Sequence, residues 1–330
     1  MKRKTPALVT FMIALPLVCL LSLTIGSAKL PLPDLLSGLF CRVGYETEAT
    51  ILYAIRIPRL LAALLAGVGL SLSGVLLQAV MANPLASPNT VGVNAGAGLF
   101  AVLSLSLLPG IIPFLSVAAF VGAFLTTLIL LLVAKVIGHS ASHTVILAGI
   151  ACTSLFQAVI SFCNILDADV LVAYNAFAVG SLEGVKAQSL WLPAFLIAAS
   201  LAVALSLSWR IEALTLGDAV AASLGIRASR LRTLCLILAS LCAAAVVSFA
   251  GLLGFVGLVV PHMTRKLFGN GMRFQIVMAP LVGAVTLSLS DLAARTLFMP
   301  AEIPVGIVTA LIGAPFFLYL LLRTRKEEPR

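Results

Sequence analysis

Charge is scarce in this sequence, and along one stretch it is missing altogether. From Leu60 to Ala134, 75 consecutive residues pass without an Asp, Glu, Lys, Arg or His. A water-soluble domain needs charged side chains to keep its surface solvated, so a stretch of this length excludes one. Nucleotide chemistry is excluded in its commonest form too. No Gly-Lys dipeptide occurs, so the P-loop is absent, and Gly67-x-Gly69 and Gly96-x-Gly98 lack both the third glycine and the strand context of a dinucleotide fingerprint. The six cysteines form no C-x-x-C pair; five fall in apolar runs and read as small core hydrophobes, and Cys41 has no evident disulfide partner. His139 and His143 stand four apart, but Gly138, Ser140 and Ser142 surround them with no carboxylate or thiol nearby, so a loop is expected rather than a metal site. No serine, histidine and acid fall together in a hydrolytic pattern. Neither a catalytic residue nor a bound cofactor is expected.

What is present is length, oil and punctuation. The chain has 330 residues, 61% of them hydrophobic and 10% charged, with a mean hydropathy of +1.17. A bilayer crossing takes about 20 residues, so one all-α polytopic domain over 1–330 with about ten spans is expected. The spans read as 7–27, 60–80, 91–108, 114–134, 144–165, 190–208, 230–250, 254–268, 275–297 and 303–322. Asn83-Pro84, Pro88, Pro109 and Pro113 end the early runs, because proline lacks the N–H a continuing helix needs. Residues 233–261 carry no charge and are too many for one crossing; Gly251, Gly254 and Gly257 mark a break before a short second helix. The first span, with Lys2, Arg3 and Lys4 ahead of it, also has the outline of a signal peptide, but its apolar run exceeds the usual signal core and retention is expected.

The net charge of +9 follows from orientation. With both termini in the cytoplasm, 15 of the 21 Lys and Arg fall on the cytoplasmic side, as the positive-inside rule requires. They are scattered over separate loops, which argues against a nucleic-acid surface. An internal echo appears as well. Arg59, an apolar helix, Gly74, a break and Val91–Leu108 parallel Arg230, an apolar helix, Gly251, a break and Gly254–Phe268. The two copies run in opposite directions, the inverted-repeat arrangement of transporters. Gly92 and Gly96 read as helix packing.

Two groups depart from the bland pattern. Arg56, Arg59 and Arg295 lie at outer helix ends, where cations are depleted. Such arginines either snorkel to lipid head groups or present planar forks to a partner's carboxylates. Asp291, one turn before Arg295, is placed to pair with it. The longest inner loop holds Leu214, Leu216, Val220 and Leu224, apolar residues a solvated loop does not need. They fit a surface for a cytosolic protein or an interfacial helix resting on lipid.

Further residues fall into a family pattern. Arg56-x-Pro58-Arg59 is followed by Ser73-Gly74, Gln78, Asn83-Pro84-Leu85-Ala86, Pro88, Gly92 and Gly96-Ala97. Leu216-Gly217-Asp218, Ala222 and Leu224-Gly225 come next, then Gly254-Phe255-x-Gly257-Leu258-Val259-x-Pro261-His262 and Arg265. Asp291, Arg295, Glu302, Pro304-x-Gly306, Gly313 and Pro315-x-Phe317 close the series. In this order, over nearly the whole chain, the sequence resembles the FecCD family, permease subunits of bacterial ABC importers for iron-siderophores, haem and cobalamin. The resemblance implies the type II importer fold in a cytoplasmic membrane. It implies two permease copies, identical or paralogous, two cytosolic ATPases that use ATP and Mg, and an extracytoplasmic binding protein. It assigns docking of that protein to Arg56, Arg59 and Arg295. It assigns coupling to the ATPase to Leu214, Leu216, Gly217, Asp218, Ala219, Ala222, Leu224 and Gly225, and a cytoplasmic gate to Asn83, Leu85 and Ser142. Two residues depart from the pattern: Ser87 stands where an acid is usual, and Asp218 replaces Glu. The expected function is import of a ferric siderophore, with haem or cobalamin as alternatives. An ion-coupled carrier would need Asp, Glu or His at membrane depth, and only Asp291 qualifies. A membrane-embedded enzyme would need clustered polar residues at one depth, which are not found.

Overall fold

The computed structural model describes residues 4–26, 37–38, 46–108, 112–137 and 142–327, and among them only helices, turns and loops occur. The helices are α1 (Lys4–Thr24), α2 (Ile57–Val80), α3 (Val93–Leu107), α4 (Ile112–Ile137), α5 (Ser142–Leu166) and α6 (Ala168–Val179). They continue as α7 (Trp191–Ser206), α8 (Ser208–Thr215), α9 (Asp218–Ser223), α10 (Ala228–Ala250), α11 (Val256–Phe268), α12 (Met272–Thr296) and α13 (Val305–Glu327). A short helix, Glu46–Thr50, and a π-helical turn, Ile51–Arg56, run straight into α2. Six helical stretches are long and apolar enough to cross a bilayer, and four shorter apolar helices accompany them.

All ten expected spans have a helix at their place. The eighth, 254–268, is the short α11, whose last turn carries Arg265 and Lys266. The sequence reading missed α6. Its twelve residues are too few to cross, yet its start is well marked: Asp167 accepts hydrogen bonds from the backbone N–H of Asp169 and Val170. Its end is Gly180 at φ 77°, where the chain turns back and receives the N–H of Gly306 on its carbonyl.

The centre of the bundle is the pair α2 and α12, with α10 and α11 packed on α2. Lipid tails are as apolar as leucine, so helices in a membrane are held by close packing rather than by escape from water. Two glycines on α2 permit that approach. A methyl group at Gly67 would overlap the carbonyl of Gly283 on α12, and one at Gly74 would overlap the carbonyl of Gly257 on α11. The echo seen in the sequence takes shape here, since α2 and α10 are each followed by a break and a shorter helix. The second break turns on Gly251 and on Phe255, a non-glycine residue at φ 64°. The periphery is different in kind. In α5, 17% of the apolar window is buried against 78% for Glu46–Val80, so α5 turns most of its surface away from this chain.

Candidate functional site

Two ends of the bundle hold the candidate residues. At the first, α2, α12 and the link between α12 and α13 bring together groups far apart in sequence. Arg59 Nε donates to both carboxylate oxygens of Asp291, at 3.0 and 3.2 Å, and Arg59 Nη1 donates to Glu302 Oε2 at 2.6 Å. Asp291 also faces Arg295 one turn along α12, with Nε at 3.7 Å. Arg59 is 8% exposed and Asp291 2%. A buried charge left alone is costly, so this mutual pairing is what allows these groups inside the fold at all.

The other two arginines close the end of α1. Arg295 Nη2 donates to the carbonyl of Ser22 at 2.8 Å, and Arg56 Nη1 donates to the carbonyl of Leu23. The last carbonyls of a helix have no partner within it and carry the negative end of its dipole, so two guanidiniums complement them directly. The N-terminal helix α1 is thus part of this cluster. The structure brings the three candidate arginines to one end of the bundle and finds them buried and bonded within the chain, a placement that neither snorkelling to lipid nor outward-facing forks describes. Of their partners, Asp291 was foreseen for Arg295 and not for Arg59. Glu302 carried no assigned role. The signal that could have found it is charge balance: an uncommon acid at the same expected depth as an uncommon arginine.

At the opposite end, α8 and α9 form the long loop between α7 and α10. Leu216, Val220 and Leu224 recur every fourth residue and are exposed, Leu216 at 67% and Leu224 at 56%. Gly217, Asp218, Ala219, Ala222 and Gly225 share this exposure. Leu214 corrects the expectation: at 3% exposure it packs into the main core with Ile211 and Ala221, and so anchors the loop rather than displaying it. Gly217 at φ 111° and Gly225 at φ 74° turn the chain at either side of α9. Asp218 is held by Arg232 on the first turns of α10, with Nη2 to Oδ1 at 2.7 Å and Nη1 to Oδ2 at 2.9 Å.

Beside this loop lies the turn between α2 and α3. Asn83 Oδ1 accepts the N–H of Leu85 at 2.9 Å, and Thr90 Oγ1 accepts that of Ser87 at 2.8 Å, so the turn satisfies itself. Ser87 is buried there, and its hydroxyl donates to Thr90 Oγ1 at 3.4 Å and accepts the N–H of Thr90 at 3.3 Å. Leu85 is exposed. Ser142 opens α5; its side chain, like that of His143, lies outside the described ones, as do Cys41 and His139 entirely. Gln78 near the end of α2 accepts from Arg265 of α11, which ties the two helices at this end. Among the described residues no three His, Cys, Asp or Glu converge as metal ligands.

The comparisons with known proteins agree with this geometry. The sequence profile of the FecCD transport family matches residues 14–323. The chain is 37% identical to the Fe(3+)-citrate import system permease protein YfmD of Bacillus subtilis, over 98% of this chain and 97% of that one. It is 36% identical to the cobalamin import system permease protein BtuC of Halobacterium salinarum, over 84% of this chain and 74% of that one. A solved structure described as an inward-facing conformation of a metal-chelate type ABC transporter superposes with a TM-score of 0.87 at 30% identity, covering 97% of this chain and 99% of that one. A bundle of apolar helices with this profile end to end has one assignment: the chain belongs to the FecCD transport family, as a permease subunit of an ABC importer.

Proposed function

We propose that this subunit carries a ferric siderophore across a bacterial cytoplasmic membrane, driven by ATP hydrolysed in separate proteins. The observation that carries the reading is the exposed row Leu216, Val220 and Leu224, fixed to the bundle by buried Leu214 and Ala221. An apolar row at a loop end is stable in water only when something covers it. The proposed cover is a cytosolic ATPase, two of which would serve a pair of permease copies. That side of the bundle is then cytoplasmic, which also places both termini there. The thinly buried α5 is the proposed contact with lipid and with the second copy, identical or paralogous. The arginine end then faces outward and receives the binding protein by its carboxylates. Asn83, Leu85 and Ser142 are the proposed gate, moved when the ATPases approach each other and push on α8 and α9.

The interior offers few ionisable groups to hold a cargo, so selectivity rests with the binding protein and the passage releases what it receives. Nanomolar binding of a ferric chelate by the isolated permease would contradict this. The direct test of substrate is uptake of radiolabelled iron chelates into vesicles holding permease, ATPase and the binding protein encoded beside it. A ferric siderophore is expected to enter and to compete out its relatives. Uptake of haem or cobalamin with no siderophore uptake would replace the substrate named here. Reversing Arg56, Arg59 and Arg295 together to Glu is expected to abolish binding-protein capture, and unchanged capture would remove the docking role.

A further inference from the structure

Docking at the arginine end meets a physical difficulty. One of the guanidiniums it uses, Arg59, is already paired with two carboxylates of its own chain. Those carboxylates are not equivalent. Asp291 is almost wholly buried, lies on α12 in the centre of the bundle, and is shared with Arg295. Glu302 lies beyond the end of α12, on the short link to α13; its side chain is 23% exposed and one bond joins it to Arg59. One partner is fixed and the other stands at the surface.

We propose that Glu302 is a placeholder, and that a carboxylate of the docked binding protein takes its position on Arg59 while Asp291 stays. This rests on the docking reading above and adds the step by which docking becomes possible. Exchanging one carboxylate for another keeps the count of charged hydrogen bonds on Arg59 unchanged. No moment need arise in which a buried guanidinium stands unpaired, the state that makes broken buried pairs costly. In the undocked permease Glu302 keeps Arg59 satisfied, and once displaced it moves to solvent, which a surface link permits and a helix centre does not. The site then selects an acidic protein surface, since an uncharged acceptor would lose the competition with Glu302. Arg56 and Arg295 each also donate to a carbonyl at the end of α1, and Arg295 shares Asp291 with Arg59.

The test measures the affinity of the binding protein for the assembled transporter in lipid nanodiscs. Glu302→Gln removes the competing charge and is expected to tighten binding about tenfold, the scale of one charged hydrogen bond. Glu46→Gln, an equal change of net charge at an exposed acid of the same end, is expected to stay within about twofold. On an Arg59→Gln background, Glu302→Gln is expected to give no gain. A gain that persists without Arg59, or an equal gain from Glu46→Gln, would show a diffuse charge effect and overturn the exchange. Arg59→Gln that weakens binding, together with no tightening by Glu302→Gln, would overturn the exchange and leave docking intact. Unchanged affinity in Arg59→Gln would overturn docking at Arg59, and the exchange with it. Should Glu302→Gln fail to assemble, Glu302→Asp keeps the charge on a shorter arm and is expected to give a smaller gain; no gain would count against the exchange.

Discussion

At one end of the bundle Arg59, Asp291, Arg295 and Glu302 turn toward one another and away from solvent; at the other, Leu216, Val220 and Leu224 turn outward and are exposed, with none of the described residues covering them. Each end inverts the usual rule for its residue type. Charges are tolerated inside because the chain supplies their counter-charges from three separate elements. Apolar side chains are tolerated outside only if another molecule covers them. On the function proposed above, the first end is complete and must be opened to act, whereas the second is incomplete and must be joined.

Removing the keystone of the complete end should have the largest effect. Asp291→Ala removes the carboxylate that the buried guanidiniums of Arg59 and Arg295 share and is expected to cost about 3–5 kcal/mol, read as lost folded yield and a lowered Tm in detergent. A variant as stable as the parent would show that the cluster is not needed for folding. The anchor at the opposite end comes next: Leu214→Ala opens a cavity in the core, with an expected cost of about 2–5 kcal/mol in the same measurement. Its exposed neighbour should behave differently. Leu216→Asp is expected to change stability by less than about 0.5 kcal/mol. It should nevertheless weaken co-purification with the ATPase by about tenfold or more, the effect of some 1.4 kcal/mol at an interface. Equal effects of the two leucine changes would erase the distinction between anchor and contact. Smallest is Asp218→Asn: the exposed pair with Arg232 should give up no more than about 1 kcal/mol.

Much of this architecture is readable in the sequence because membrane spans are long and obey one composition rule. All ten expected spans have a helix at or near the expected bounds, and the break before α11 fell at Gly251. The helix α6 escaped because a length rule for crossing a bilayer says nothing of a helix of 12 residues. Its Asp167 cap and terminal Gly180 were visible as local signals only. The arginines were legible as anomalies, but the pairing of Arg59 with Asp291 spans 232 residues and depends on which faces of α2 and α12 meet. The Gly67 and Gly283 approach decides that register, and a single sequence does not reveal such a partnership. Leu214 was misjudged for a related reason. In a loop outside the membrane a leucine reads as exposed, whereas α8 folds back against α2 and α12 and buries it.

The source of motive force tests the central claim most directly. Purified permease would be placed in vesicles with and without its ATPase, and uptake of ferric chelate delivered by the binding protein would be followed under ATP or under a proton or sodium gradient. Uptake is expected only with the ATPase present and ATP supplied, and to be unaffected when the gradients are collapsed. Uptake by the permease alone, driven by an ion gradient, would contradict the account.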